Sequence, residues 1–394
     1  MTARLCHEKA DGTDRSWNPA GAGKVSFGNF GPGRKPLKRL LLTLPALLLA
    51  TSILAADAKP VAPSLGVKAE KLIAESLPVC SVPSTPTRTA LAHKLPTNMV
   101  GNVIQLDSTR GACQGQWVTI LSNEGGFYMG IPWFLDDVKG MLEEKLQQFT
   151  WKTMQENYTA VIDRTRTREG LYRVKLLMTT ERGKMPMEGE IDPAGTVFFI
   201  GHFHPLSESG RTARLKELDH YIAGSPAIGA AKPEVTVIEF SDFQCPSCQH
   251  ASKYLKPIMA THADKVRYIR YDVPLVSMHP WAFAAAVAGR AIYHQKPELF
   301  WQFKEQVYDN QEKLSAFTIE EFARGFASDH ELDLKRYDAD IASPELKSEI
   351  LSGVGLAFTN DVRSTPTYIV NGTFVDPGVD GVALEKYVEG LLKK

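Results

Sequence analysis

Apolar positions change period along this chain, and the changes mark out its elements. Between 113 and 208 most apolar runs are short and separated by turn residues, which predicts strands at 117–121, 158–162, 171–179 and 196–200. One segment there differs. Val138, Leu142, Leu146, Phe149 and Met154 recur at helical spacing behind Asp136 and Asp137, predicting a helix over 136–156. A helix followed by an antiparallel meander, with Asp192-Pro193-Ala194-Gly195 as a turn, predicts a small α+β domain over 113–208. Leu215, Leu218 and Ile222 share one side of a helical linker at 209–225. From 226 to 394 strand and helix alternate. Strands at 235–240 and 266–271 flank a first helix, and helices follow at 281–293, 298–309, 318–327, 334–341 and 343–358. Thr367–Val370 and Thr373–Val375 then form a hairpin around Asn371-Gly372, and a helix at 381–392 closes the chain.

Two segments precede this pattern. Residues 59–112 are rich in Pro, Ser and Thr and read as linker-like, with one helical stretch at 67–76. Residues 1–58 combine an aperiodic lead with a targeting signal. Arg34-Lys35 and Lys38-Arg39 are its positive region, 40–56 is almost wholly apolar, and Ala56-Asp57-Ala58 predicts cleavage after Ala58. The alternative is an uncleaved membrane anchor, for which an apolar core of about 16 residues is short against the ~20 a span needs. Cleavage predicts an exported, periplasmic protein in an oxidising compartment.

Composition narrows the function. Forty-five basic residues balance forty-five acidic ones, and no basic stripe carries interleaved aromatics, so nucleic acid is excluded as a partner. The five cysteines are Cys6, Cys80, Cys113, Cys245 and Cys248, and export leaves an even number by removing Cys6. Cys80 and Cys113 then read as a structural disulfide anchoring the loop-rich stretch. Cys245 and Cys248 differ. They follow an apolar strand and open a helix, where backbone N–H groups and the helix dipole favour a thiolate. Two intervening residues let the second thiol reach the first, so the pair can cycle between dithiol and disulfide. Half of a zinc site would need a second Cys-x-x-Cys, which is missing, and an inert disulfide suits a helix start poorly. His202-Phe203-His204 is a weak metal hint whose plainer reading is a surface pair. Trp281, Tyr293, Phe300, Trp301, Phe303 and Tyr308 read as core, and Asp242 as a turn or helix-start residue.

The run Glu239-Phe240-Ser241-Asp242-Phe243-Gln244-Cys245-Pro246-Ser247-Cys248 resembles the DsbA-like thiol:disulfide oxidoreductases. So do Arg363-Ser364-Thr365-Pro366-Thr367-Tyr368-Ile369-Val370-Asn371-Gly372 downstream and His279-Pro280-Trp281-Ala282 at the head of the helical block. The resemblance covers about 226–392 and implies an α/β, thioredoxin-like fold with a helical insertion at the C-terminus, preceded by the small α+β domain. It implies an exposed nucleophile at Cys245, a resolving thiol at Cys248, and a loop shaped by Pro246 and Ser247. Pro-Ser stands where the best-known oxidases carry Pro-His, so no imidazolium comes from within the loop. Pro366 would be a cis-proline facing the pair and leaving a backbone edge for an extended client peptide, with the Thr365 hydroxyl near the sulfurs. Glu239, six residues before Cys245, would accept and return the Cys248 proton from below; the alternative places it on a solvated strand edge. No organic cofactor and no metal are implied. Partners would be client proteins with thiols or disulfides and a redox-recycling membrane protein. The domain order is also similar to DsbC- and DsbG-type isomerases, which implies a homodimer through the N-terminal domain as the alternative. A non-catalytic client-binding module is the other.

Overall fold

The structure, a computed structural model, describes residues 63–393 apart from 83, 108–112, 155–156, 181 and 223. The targeting segment, its cleavage site after Ala58 and Cys6 lie outside the described residues. Among the described residues no helix is long and apolar enough to cross a membrane.

The C-terminal sheet has the strand order Ala227–Gly229, Val266–Asp272, Val235–Ser241, Thr367–Val370, Thr373–Val375. Val235–Ser241 and Val266–Asp272 run parallel, and the remaining neighbours are antiparallel. Both faces of the parallel pair are covered, which explains their near-continuous apolar sequences. On one face Phe240, Phe243 and Ile269 meet the helices Ala282–Gln295, Leu299–Asp309, Ile319–Asp329 and Pro344–Thr359. On the other, Val237 and Val266 meet Ile258, Leu384 and Val388 from Lys256–His262 and Val382–Leu392. Asn371 and Gly372 have φ of 44° and 81°, the left-handed values that a two-residue type I′ turn demands. This is the expected thioredoxin-like α/β arrangement with its helical insertion. Ala227–Gly229 is an added edge strand just past the helical linker read over 209–225.

The N-terminal region is richer in sheet than its sequence suggests. One antiparallel sheet has the order Thr87–Ala90, Met99–Asp107, Gln114–Ser122, Gly126–Gly130, His204–Pro205. A second has the order Pro132–Phe134, Val197–Ile200, Gly183–Ile191, Tyr172–Thr180, Tyr158–Arg166. The linker-like reading of 59–112 is therefore corrected: helix Pro63–Ser76 and two strands lie within it. Its strand alternation is brief, with Ile104 and Leu106 the buried alternating pair in Met99–Asp107, and the pairing partner Gln114–Ser122 lies beyond it. The helix expected over 136–156 begins only at Leu142. Gly140, at φ 121°, breaks the run, and the Glu144 carboxylate accepts from the Met141 N–H at 3.0 Å.

Packing and strand pairing tie this region to the C-terminal domain. Strand Gly183–Ile191 packs on helix Pro344–Thr359, an approach that requires Gly355, where a Cβ would sit 1.6 Å from the Pro186 carbonyl oxygen. Val79 extends the sheet edge, donating to Phe374 O at 2.8 Å and accepting from Asp376 N at 2.9 Å. Beside it Cys80 is disulfide-bonded to Cys113, with a Cα–Cα distance of 5.7 Å.

His202 and His204 are half-buried among carboxylates instead of forming a surface pair. His202 lies 3.8 Å from Glu188 and 3.4 Å from Glu190, and His204 lies 3.9 Å from Glu217. Burial pulls the His202 pKa down, but hydrogen bonds to Glu188 and Glu190 outweigh it and raise it to about 9.

Two predictions follow from these ties. The bridge spans a sequence separation of 33, so replacing Cys80 and Cys113 by serine should cost about 3 to 4 kcal/mol in the chain-entropy model, read as a lower urea midpoint. The raised His202 pKa contributes stability that is complete below its ordinary value near 6.5 and is lost as pH rises to about 9. Thermal melts of His202→Gln should show a flatter decline over that window, and a slope equal to that of the unaltered protein would rule the pair out.

Candidate active site

Strand Val235–Ser241 delivers the chain to a loop organised by Asp242. That carboxylate accepts from Gln244 N at 2.7 Å, Leu275 N at 2.8 Å and the His279 ring Nδ1 at 2.8 Å. Its backbone N–H donates to Cys248 Sγ at 3.4 Å, and its carbonyl accepts from Cys245 N at 3.3 Å. Cys245 is the N-cap of helix Pro246–Ala251, with φ −71° and ψ 120°, and Pro246 fills the first helical turn where no N–H is needed. From the helical insertion, Gln311 Nε2 donates to the carbonyls of Phe243 at 2.9 Å and Cys245 at 3.2 Å. Pro246 and Ser247 are exposed, so the dipeptide faces outward from the fixed loop.

Both thiols are free, and they differ sharply. Cys248 is fully buried. Burial is the main reason its pKa is raised well above the ordinary thiol value, with the Cys245 sulfur and Glu239 adding to it. Cys245 responds oppositely. The Cys248 thiol lowers its pKa most, burial opposes, and Thr365 and the Cys248 N–H bring it to about 6. The expected exposure of Cys245 is corrected: only 7% of the residue is accessible. The segment before Pro366 covers it, with the Thr365 carbonyl 3.5 Å from Cys245 Sγ. The Thr365–Pro366 bond is cis. Among the described residues the buried Thr365 hydroxyl has no nitrogen or oxygen partner.

Beneath the pair lies a layer of buried charge. Glu239 is buried, not on a solvated edge; it accepts from the Tyr268 hydroxyl and lies 4.0 Å from Arg270 Nη1. Arg270 donates to Asp272 at 3.0 Å, Ser241 Oγ at 2.8 Å and the Tyr308 hydroxyl at 2.9 Å. Among the described residues no group of three or more His, Cys, Asp or Glu is arranged to hold a metal ion.

The structure thus gathers Cys245, Cys248, Thr365, Pro366 and Glu239 around one loop and leaves Cys80–Cys113 in the N-terminal tie. Sequence reasoning missed His279 and understated Asp242. The Asp242 hydrogen bond raises the His279 pKa, burial opposes, and the Cys245 sulfur raises it further. A histidine shifted toward its charged form is therefore supplied near the pair from the insertion and not from the dipeptide. The only sequence signal was His279-Pro280 as a motif, with nothing to say what it faced.

A reduced sample alkylated with iodoacetamide across pH 4–9 should show a Cys245 rate that inflects at about 6. Thr365→Val should move the inflection upward, and an unmoved profile would remove Thr365 from the thiolate's support.

A family model described as thioredoxin matches residues 223–389. The probable disulfide bond formation protein D of Bacillus anthracis is 27% identical over 172 residues, 43% of this chain and 78% of that protein. The Na(+)/H(+) antiporter NhaA 3 of Salinispora tropica is 31% identical over 144 residues, 36% of this chain, and this chain spans only 21% of that protein's length. The crystal structure of oxidised BdbD from Bacillus subtilis has a TM-score of 0.40 at 22% identity, covering 44% of this chain and 95% of that one. Residues 223–389 thus carry a thioredoxin-like domain, similar over most of that span to a disulfide bond formation protein, and a further folded region precedes it.

Proposed function

We propose that this chain is an exported thiol:disulfide oxidoreductase that exchanges disulfides with client proteins through Cys245 and Cys248. The observation that carries the proposal is the division of one proton between unequal sulfurs, one at about 6 and its neighbour raised well above the ordinary value. In the oxidised protein a client thiolate attacks Cys245 Sγ and the Cys245–Cys248 bond breaks. Cys248 leaves and takes a proton, with buried Glu239 as the proposed relay between it and solvent. A second client thiolate then attacks the client sulfur of the mixed disulfide. Cys245 departs as a thiolate, the client gains a disulfide, and the pair has gained two electrons. A low Cys245 pKa makes it a good leaving group and stabilises the reduced form, which favours client oxidation. The exposed Pro246 and Ser247 leave this end of the helix open to a protein client, and the backbone beside Pro366 suits an extended peptide. Turnover requires reoxidation, for which a membrane redox partner is the fitting class. The Cys80–Cys113 bridge supports an oxidising compartment, as does the targeting segment in the sequence.

The test uses a reduced client with a fluorescence readout of disulfide formation. Cys245→Ser should abolish oxidation. Cys248→Ser should accumulate a mixed disulfide visible on a non-reducing gel. Equal activity of the unaltered protein and Cys245→Ser would end the enzymatic reading in favour of client binding.

A further inference from the structure

The N-terminal region approaches the cysteine pair through residues 360–366. Helix Pro344–Thr359 ends in a reversal: Asp361 N donates to Phe358 O at 3.1 Å and Val362 N to Ala357 O at 2.9 Å, with Asp361 left-handed at φ 61°. The reversal turns the chain toward Thr365. The N-terminal sheet grips it there. The Asp361 carboxylate accepts the indole N–H of Trp117 and a fork from Arg363, at 2.7 Å from Nε and 3.1 Å from Nη2. The guanidinium lies over the Trp117 ring, 4.6 Å from its centroid, and Nη1 donates to the Gln116 carbonyl at 2.9 Å. Trp117 is itself almost fully buried in strand Gln114–Ser122. Two residues after Arg363 comes Thr365, whose carbonyl meets Cys245 Sγ at 3.5 Å.

We infer that Trp117 and the Gln116 carbonyl are positioning groups of the redox site: by holding the Asp361–Arg363 fork they set Thr365 against Cys245. The inference rests on the reading of Cys245 as the nucleophile and extends it, because it makes the N-terminal region part of the site's machinery. A planar guanidinium that stacks, forks and donates to a carbonyl at once has one allowed placement, so the two residues that follow it inherit little freedom. The alternative is a merely adhesive contact that stabilises the chain and leaves the sulfur unaffected.

Two substitutions separate these readings without changing net charge. Trp117→Phe keeps an aromatic ring and loses the N–H; Arg363→Lys keeps the charge and loses the fork and the stack. Trp133→Phe, in the core of the second N-terminal sheet, provides a matched destabilisation away from 361–365. The titratable groups about Cys245 are Cys248 on its helix, Asp242 in the preceding loop and His279 from the insertion, and all are retained. The readout is the pH profile of Cys245 alkylation in the reduced full chain, with no client present. Displacing Thr365 removes its side-chain support of the thiolate, so Trp117→Phe and Arg363→Lys should each raise the inflection by about half a pH unit, a ~3-fold loss of thiolate well below pH 6, while Trp133→Phe keeps the unaltered profile. Lowered melting temperatures with unmoved profiles in both variants would overturn the inference, as would an equal shift in Trp133→Phe. If unaltered Cys245 shows no inflection near 6, the nucleophile reading itself fails, which is a separate result.

Discussion

One proton shared unequally between two sulfurs is the constraint on which the rest of the site depends. Burial disfavours ionisation of Cys248, so its thiol serves as a donor toward Cys245. That donor stabilises the Cys245 thiolate despite burial. The asymmetry needs two placements at once: a helix start at Cys245, and a floor that keeps water from Cys248. Asp242 secures the first by fastening the loop to Leu275 and His279, and Gln311 secures it from the opposite side. Phe240, Phe243 and the helices of the insertion secure the second.

The floor is not wholly apolar, and its charges are costly. Arg270 is completely buried, and a buried cation needs close partners to offset its desolvation. Asp272, Ser241 and Tyr308 provide them, and the guanidinium also lies over the Phe243 ring at 4.2 Å. Nearby, Lys304 is pulled down to about 8, chiefly by burial. Glu239 stands among these groups with one oxygen bonded to Tyr268.

The added N-terminal region changes the setting of this domain. Its strand Gly183–Ile191 needs Gly355 for its closest approach, and Val79 joins the sheet edge. Trp117 then meets the segment leading to Pro366.

Much of the chemistry was legible because it is written in short stretches. Cys245-Pro246-Ser247-Cys248 after an apolar strand, Asn371-Gly372 between two strands and Thr365-Pro366 before one are each set by local backbone preference, and the element order α/β followed from period alone. The strands within 59–112 were not legible, since Ile104 and Leu106 make too brief an alternation without their partner across the sheet. Nor were the shielding of Cys245, the reach of His279 to Asp242 or the grip of Trp117 on Asp361. Each joins residues dozens to hundreds of positions apart, as with the 244 between Trp117 and Asp361. Residue identity decides which groups can bond, but burial and partner choice depend on how separate strands and helices pack, and only the folded chain brings those atoms within reach.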